Sequence, residues 1–295
     1  MTNYDGGNEM ETLSAVPVYE GYIVKMASIV LSHPIDLIRV NIEANAHKHS
    51  RLTMRHMLER MSRHGLPGFY YGIDAAVTRC TVQTIISYHL FRNLHQLLCQ
   101  HPYFIMLQPY NTEVLKALCS LCGGIVATPL AKLSVIRQAD LTRGSFQRRN
   151  YRRLTSGLKC MFRKGGIQHL FIGWEMNAVS SAVMTGLHKP VSNLVEDLAP
   201  RLYKKDNSWV PNLARMALTG SIVNVIMTPI DTLSVMALNH SRYSDFTYKK
   251  LCRLVVKKHG YRGFFFGLKP GLISLIPNTV VISVATRLLL NQQVI

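Results

Sequence analysis

The residues of this 295-residue chain that could do chemistry sit inside long, largely apolar segments. Arg79 and Gln83 fall in one such segment, Asn177, Ser180 and Ser181 in another, and Asn224 and Asn278 in two more. A guanidinium recognises a carboxylate or phosphate through paired N–H donors. At membrane depth it is costly unless something answers its charge. Amides and hydroxyls make the weaker version of the same demand, so these segments must face other helices or a watery cavity. Patterns that make or break covalent bonds are missing: the chain has no P-loop, dinucleotide fingerprint, nucleophile elbow or HExxH. Cys119-x-x-Cys122 is a lone CxxC in an apolar run and suits close helix packing, as do Gly123, Gly124 and Gly220. His47, His49, His56 and His64 lack metal-ligand spacing and read as surface. The chemistry is recognition, not catalysis; no metal and no cofactor is expected.

The elements that position these residues come in threes. HPIDLIRV (33–40), TPLAKLSV (128–135) and TPIDTLSV (228–235) align on Pro34, Pro129 and Pro229. Downstream, GLPGFYYG (65–72), GIQHLFIG (166–173) and GYRGFFFG (260–267) align on their terminal glycines, Gly72, Gly173 and Gly267. Two motifs in the same order three times define a repeat. A mobile tail is expected over 1–16, with repeats over 17–105, 106–200 and 201–295. Each repeat reads as an apolar segment through the proline, a basic amphipathic piece, the aromatic–glycine motif and a second apolar segment. Six segments result, near 17–44, 73–99, 113–139, 174–198, 209–239 and 268–291. Each is long enough to cross a hydrocarbon core of roughly 30 Å as a helix, and prolines are tolerated there where neighbours satisfy the freed carbonyls.

Composition excludes other classes. With 48% hydrophobic and 17% charged residues the chain is no disordered polymer. Six cysteines are too sparse for a secreted disulfide scaffold. The net charge of +18 favours anionic partners, and its distribution says which. Connections 47–64, 137–164 and 240–262 hold 21 of the 34 Lys and Arg, against three in 1–20, 93–112 and 196–208. The positive-inside rule puts those connections on one side of a membrane and both termini on the other. Basic amphipathic helices at a lipid surface explain the clusters better than nucleic-acid contact. Residues 1–16 contain Asp5, Glu9 and Glu11 but no Lys or Arg, unlike a secretory signal or a mitochondrial presequence.

On these two motifs, over residues 17–290, the chain resembles the mitochondrial carrier family, whose repeat is Pro-x-Asp/Glu-x-x-Lys/Arg followed by acidic-Gly-x4-aromatic-basic-Gly. QADLTRGSFQRRNYRRL (138–154), MTPIDTLSVMALN (227–239) and PNTVVISV (277–284) are most similar to its 2-oxoglutarate/malate, dicarboxylate and oxaloacetate branch. The resemblance implies an all-α membrane protein: six transmembrane helices in a threefold pseudosymmetric bundle, with three short matrix-side amphipathic helices. It implies a monomer in the mitochondrial inner membrane with both termini in the intermembrane space. A small anionic metabolite would be exchanged by alternating access, with cardiolipin bound at the helix termini beside Gly72, Gly173 and Gly267.

Carried over residue by residue, the family's matrix gate falls on acids Asp36, Ala131 and Asp231 and bases Arg39, Ser134 and Ser234. Only Asp231 with Arg39 keeps a full ion pair. Asp36 is expected to face Ser134 and Ala131 to face Ser234, with Lys132 a candidate partner for Asp36. The brace position falls on Glu43, Gln138 and Leu238, where only Gln138 matches. Substrate contact points fall on Arg79, on Ser180 with Ser181, and on Ser274, with Gln83 and Asn278 one turn further along. One carboxylate on Arg79 plus serine hydroxyls fits this set better than a cluster of guanidiniums. A structural pairing of Arg79 with Asp36 is the competing reading. No second gate is evident near Phe91, Ser192 or Thr286. The thinned gates leave a non-transporting membrane scaffold or receptor as the alternative function.

Overall fold

The proline segments and their partners fold into six helices of 25 to 30 residues. The computed structural model describes residues 18–46, 53–100, 104, 110–143, 148–149, 151, 153–200, 209–240 and 247–292. The tail expected over 1–16, and His47 and His49, lie outside the described residues. Helix α1 covers Val18–Ala44, α2 Met54–Arg63, α3 Leu66–Phe69, α4 Ile73–Leu98 and α5 Tyr110–Ala139. Helix α6 covers Leu154–Leu170, α7 Trp174–Leu198, α8 Trp209–Leu238, α9 Tyr248–His259 and α10 Leu268–Gln292. All regular structure among the described residues is helical, and the long helices fall within a few residues of their expected bounds. The largest difference is α5, which starts at Tyr110 and not at 113: Asn111 donates to the Phe104 carbonyl at 3.0 Å and secures the entry.

Pro34, Pro129 and Pro229 lie inside α1, α5 and α8. These three helices touch one another, and each is flanked by two of the other long helices, α4, α7 and α10. Neighbours run in the order α4, α5, α7, α8, α10, α1, with α1 returning to α4. Three equivalent apolar cores lie at the C-terminal ends of α1, α5 and α8, each roofed by one short helix. Met57 and Met61 of α2 pack on Leu37, Ile38 and Ile42. Met161 of α6 packs on Leu133 and Ile136, and Leu251 and Val255 of α9 on Met236 and Ala237. The paired buried positions four apart are the narrow apolar stripe of an amphipathic helix.

The long helices invert the usual arrangement. Ile23, Leu31, Leu118, Val126, Leu218, Ile276 and Val284 are exposed, whereas Asn41, Glu43, Lys132, Asn177 and Asn224 are buried. Apolar surface on that scale suits hydrocarbon. Among the described residues, three stretches are both long and apolar enough to cross a membrane: Tyr110–Thr142, Leu213–Leu238 and Tyr261–Ala285. The other three long helices match them in length and carry more polar residues.

Candidate functional site

The site's geometry follows from how each repeat rests on the next. Gly72 and Gly173 adopt left-handed backbones, φ 81° and 85°, just before α4 and α7. A Cβ on Gly72 would meet Gln138, one on Gly173 would meet Ala237 and Leu238, and one on Gly267 would meet Glu43. Glu43, Gln138 and Leu238 each stand nine residues beyond their repeat's proline. The motif glycine of each repeat therefore abuts the same level of the next repeat's proline helix, and the third abuts the first.

Counting seven residues back along each proline helix and seven forward along each partner reaches one common layer, about 10 Å from the glycines at 1.5 Å per residue. On the proline helices that layer holds Asp36, Ala131 and Asp231; on their partners it holds Arg79, Ser180 and Ser274. Two of the three facing pairs are hydrogen-bonded: Ser180 donates to Asp231 at 2.6 Å and Ser274 to Asp36 at 2.6 Å. The third pair is Arg79 opposite Ala131. Without an acid there, the Arg79 guanidinium is bonded to no described residue. It lines a cavity of ≈ 280 Å³ together with Asp36, Arg39, Ser134, Gln138, Asn177, Ser180, Asp231 and Ser234.

The expected ion pair is present: Arg39 donates to Asp231 at 2.7 Å. Its Nε also donates to Glu43 at 2.9 Å, which the resemblance did not suggest. Glu43 is almost fully enclosed, its carboxylate pressed against Gly267, so the guanidinium balances two carboxylates. The i,i+4 spacing of Arg39 and Glu43 was the available signal.

Other expectations are corrected. Asp36 and Ser134 line the same cavity, but the hydrogen bonds to Asp36 come from Ser32, which donates to its second oxygen at 2.6 Å, and from Ser274, which donates to the first at 2.6 Å. Lys132 is not its partner, because its amine turns away and donates to the His169 carbonyl at 2.7 Å. Arg79 does not pair with Asp36. Ser134 and Ser234 line the cavity, as does Gln138, whose backbone carbonyl accepts from Asn41 at 3.0 Å. The hydroxyls of Ser180 and Ser274 are committed to the acids, and Ser181 and Gln83 bond each other at 2.9 Å. Asn278 accepts from Ser28 at 2.6 Å. Polar groups on packed helix faces must find partners, so of the six expected contact residues only Arg79 and Ser180 line the cavity. Near the other end, Lys116 pairs with Glu113 at 2.8 Å and lies 5.9 Å from the Phe91 ring centroid. The Thr286 side chain lies outside the described residues.

Two further contacts repeat the repeat-to-repeat pattern. Asp74, in the first turn of α4, accepts from Arg137 of α5 at 2.6 Å. Its counterpart Glu175, in the first turn of α7, accepts from Tyr248 of α9 at 2.8 Å. Burial, and then the Glu175 carboxylate, pushes the Tyr248 hydroxyl above its usual range. On the capping helix α6, His169 is held down to about 4, first by burial and then by the charges of Lys132, Arg149 and Lys164. Cys119 is buried and Cys122 exposed, while Gly123 and Gly124 approach Ser87 and Ser181 of the flanking helices.

The family model described as mitochondrial carrier protein matches residues 15–102. The chain is 26% identical over 265 residues to the mitochondrial dicarboxylate carrier of Caenorhabditis elegans, covering 89% of each chain. It is 25% identical over 287 residues to the mitochondrial dicarboxylate transporter of Saccharomyces cerevisiae, covering 94% of this chain and 93% of that one. It is 21% identical to a probable mitochondrial 2-oxoglutarate/malate carrier protein of Dictyostelium discoideum, covering 88% and 84%.

Proposed function

From a chain that belongs to the mitochondrial carrier family, nearest its dicarboxylate and 2-oxoglutarate/malate members, we propose an inner-membrane carrier that exchanges a small carboxylate by alternating access. Its six long helices span the membrane as a threefold bundle. Apolar outer faces and buried polar faces support this, since polar groups at membrane depth belong on a cavity. The basic connections face the matrix and both termini the intermembrane space, by the positive-inside rule. Cardiolipin binds at the helix starts beside Gly72, Gly173 and Gly267, where unpaired N–H groups favour phosphate. The protein works as a monomer.

One observation carries the choice of an anion: Arg79 reaches the cavity with its donors uncommitted. In a partly dehydrated site a guanidinium takes a carboxylate through two parallel N–H bonds. Across the bundle, the Arg39–Asp231 pair and the Ser180 and Ser274 bonds tie neighbouring helices together at the same level. The solute compensates for parting those contacts by its own contacts in the intermediate state, so binding and gate opening are coupled.

The test is uptake of labelled 2-oxoglutarate, malate, oxaloacetate and a monocarboxylate into cardiolipin-containing liposomes, preloaded or empty. Counter-exchange by the wild type that disappears in Arg79→Ala is the expected result. A folded, cardiolipin-responsive protein that moves none of these solutes and no small amino acid would make it a carrier-fold scaffold or receptor instead.

A further inference from the structure

The layer that holds Arg79 also holds Asp36, and neither has an ionic partner among the described residues. The cause lies in the repeat itself. Arg39 pairs with Asp231, and the equivalent pairings one repeat on would be Ser134 with Asp36 and Ser234 with Ala131. Serine replaces the base that would answer Asp36, and alanine stands opposite Arg79. The two acid oxygens of Asp36 accept from Ser32 and Ser274, both at 2.6 Å. An ionised carboxylate has about four acceptor sites, so roughly two remain for a donor in the cavity. One wall thus offers a cation and the adjoining helix an anion, at the same depth.

The charge balance argues further. The described cavity lining contains three carboxylates, on Asp36, Glu43 and Asp231, against two guanidiniums, on Arg39 and Arg79. Arg39 is committed to Glu43 and Asp231, so a dianion would find one free guanidinium and would lie beside the Asp36 carboxylate, where like charges repel. A solute carrying both signs adds no net charge and satisfies both free groups. Val40, Val135 and Val235 supply apolar lining, and ≈ 280 Å³ accommodates a small solute. We propose that the solute is a small neutral α-amino acid, its carboxylate on Arg79 and its ammonium group on Asp36. This rests on the carrier reading above and names the class of carboxylate.

The experiment uses the full chain in cardiolipin-containing liposomes with labelled glycine, alanine, propionate and malate. Propionate matches alanine but lacks the amine. Alanine uptake is expected to exceed propionate uptake by about tenfold or more, and Asp36→Asn to collapse that ratio, as loss of a charge-assisted contact should. Asp36→Glu is expected to keep the preference for alanine. Propionate or malate moving as well as alanine would overturn the proposal, as would Asp36→Asn lowering alanine and propionate in proportion. Malate uptake without amino-acid uptake sinks this proposal alone. No uptake of any solute by folded protein sinks the carrier reading, and this with it.

Discussion

Arg79 keeps its donors uncommitted among the described residues, with the fully buried Ala131 at the facing position, where the other two repeats carry Asp36 and Asp231. An acid restored at that position would capture the guanidinium. Ala131→Asp is therefore expected to abolish anion-dependent uptake in liposomes; uptake at the wild-type rate would show that Arg79 does not face this position. Arg39 does the reverse job, balancing both Glu43 and Asp231. Truncating it leaves a deeply enclosed carboxylate uncompensated, a loss of about 3–5 kcal/mol. Arg39→Met should lower the melting temperature in detergent, and adding Glu43→Gln should recover part of the loss. A melting temperature unchanged by Arg39→Met would refute the shared pairing. The Arg39–Asp231 pair was legible through the family resemblance and the repeat register, which also singled out Arg79 as an expected contact point. The serine bonds to Asp36 and Asp231 were not, because a hydroxyl satisfies whichever neighbour packing supplies. Lys132 misled for a related reason: its long stem reaches the His169 carbonyl outside the cavity as easily as an acid within it.

At the scale of elements, proline and glycine placed the helices, and packing set their partners. The prolines marked α1, α5 and α8, and the glycines marked the entries to α4 and α7, where φ is positive. What stayed hidden was the tightness of those entries. A Cβ on Gly173 would lie 3.0–3.1 Å from Ala237 and the Leu238 nitrogen, whereas one on Gly166 would meet nothing within 4 Å, though both have positive φ. Gly173, at φ 85° and ψ 12°, lies in the left-handed region, so Gly173→Ala should cost about 1–2 kcal/mol of backbone strain, and more because helix α8 must also shift. A melting temperature no lower than the wild type's would contradict the close approach. Helix α6 carries a pH signature as well. His169, at about 4 when folded against 6.5 ordinarily, binds its proton more readily unfolded than folded. Its contribution to stability is therefore intact above about 6.5 and declines as pH falls toward 4. Thermal melts should show that slope in the wild type and a shallower one in His169→Gln.

The molecule as a whole wears its apolar residues outward and its amides inward. Among the described residues hydropathy alone marks three of the six long helices as long and apolar enough to cross a membrane. The repeat supplied what hydropathy could not: six segments of like design, found together because each copy vouches for the others. The lipid reading belongs at this scale too. Cardiolipin added to the purified protein in detergent should raise its melting temperature, as any ligand of the native state does. Phosphatidylcholine at the same concentration should not. Equal effects would remove the cardiolipin assignment.

The contact between the last repeat and the first has a consequence for how the chain is made. Asp36 meets Ser274 across 238 positions of sequence, Ser28 meets Asn278 across 250, and Arg39 meets Asp231 across 192. Contacts so distant along the chain close late. Until α8 arrives Arg39 and Glu43 have chiefly each other, and until α10 arrives Ser28 lacks Asn278 and Asp36 lacks Ser274. Helix α1 is thus made well before the contacts that complete it, and during biogenesis it needs shelter until they form.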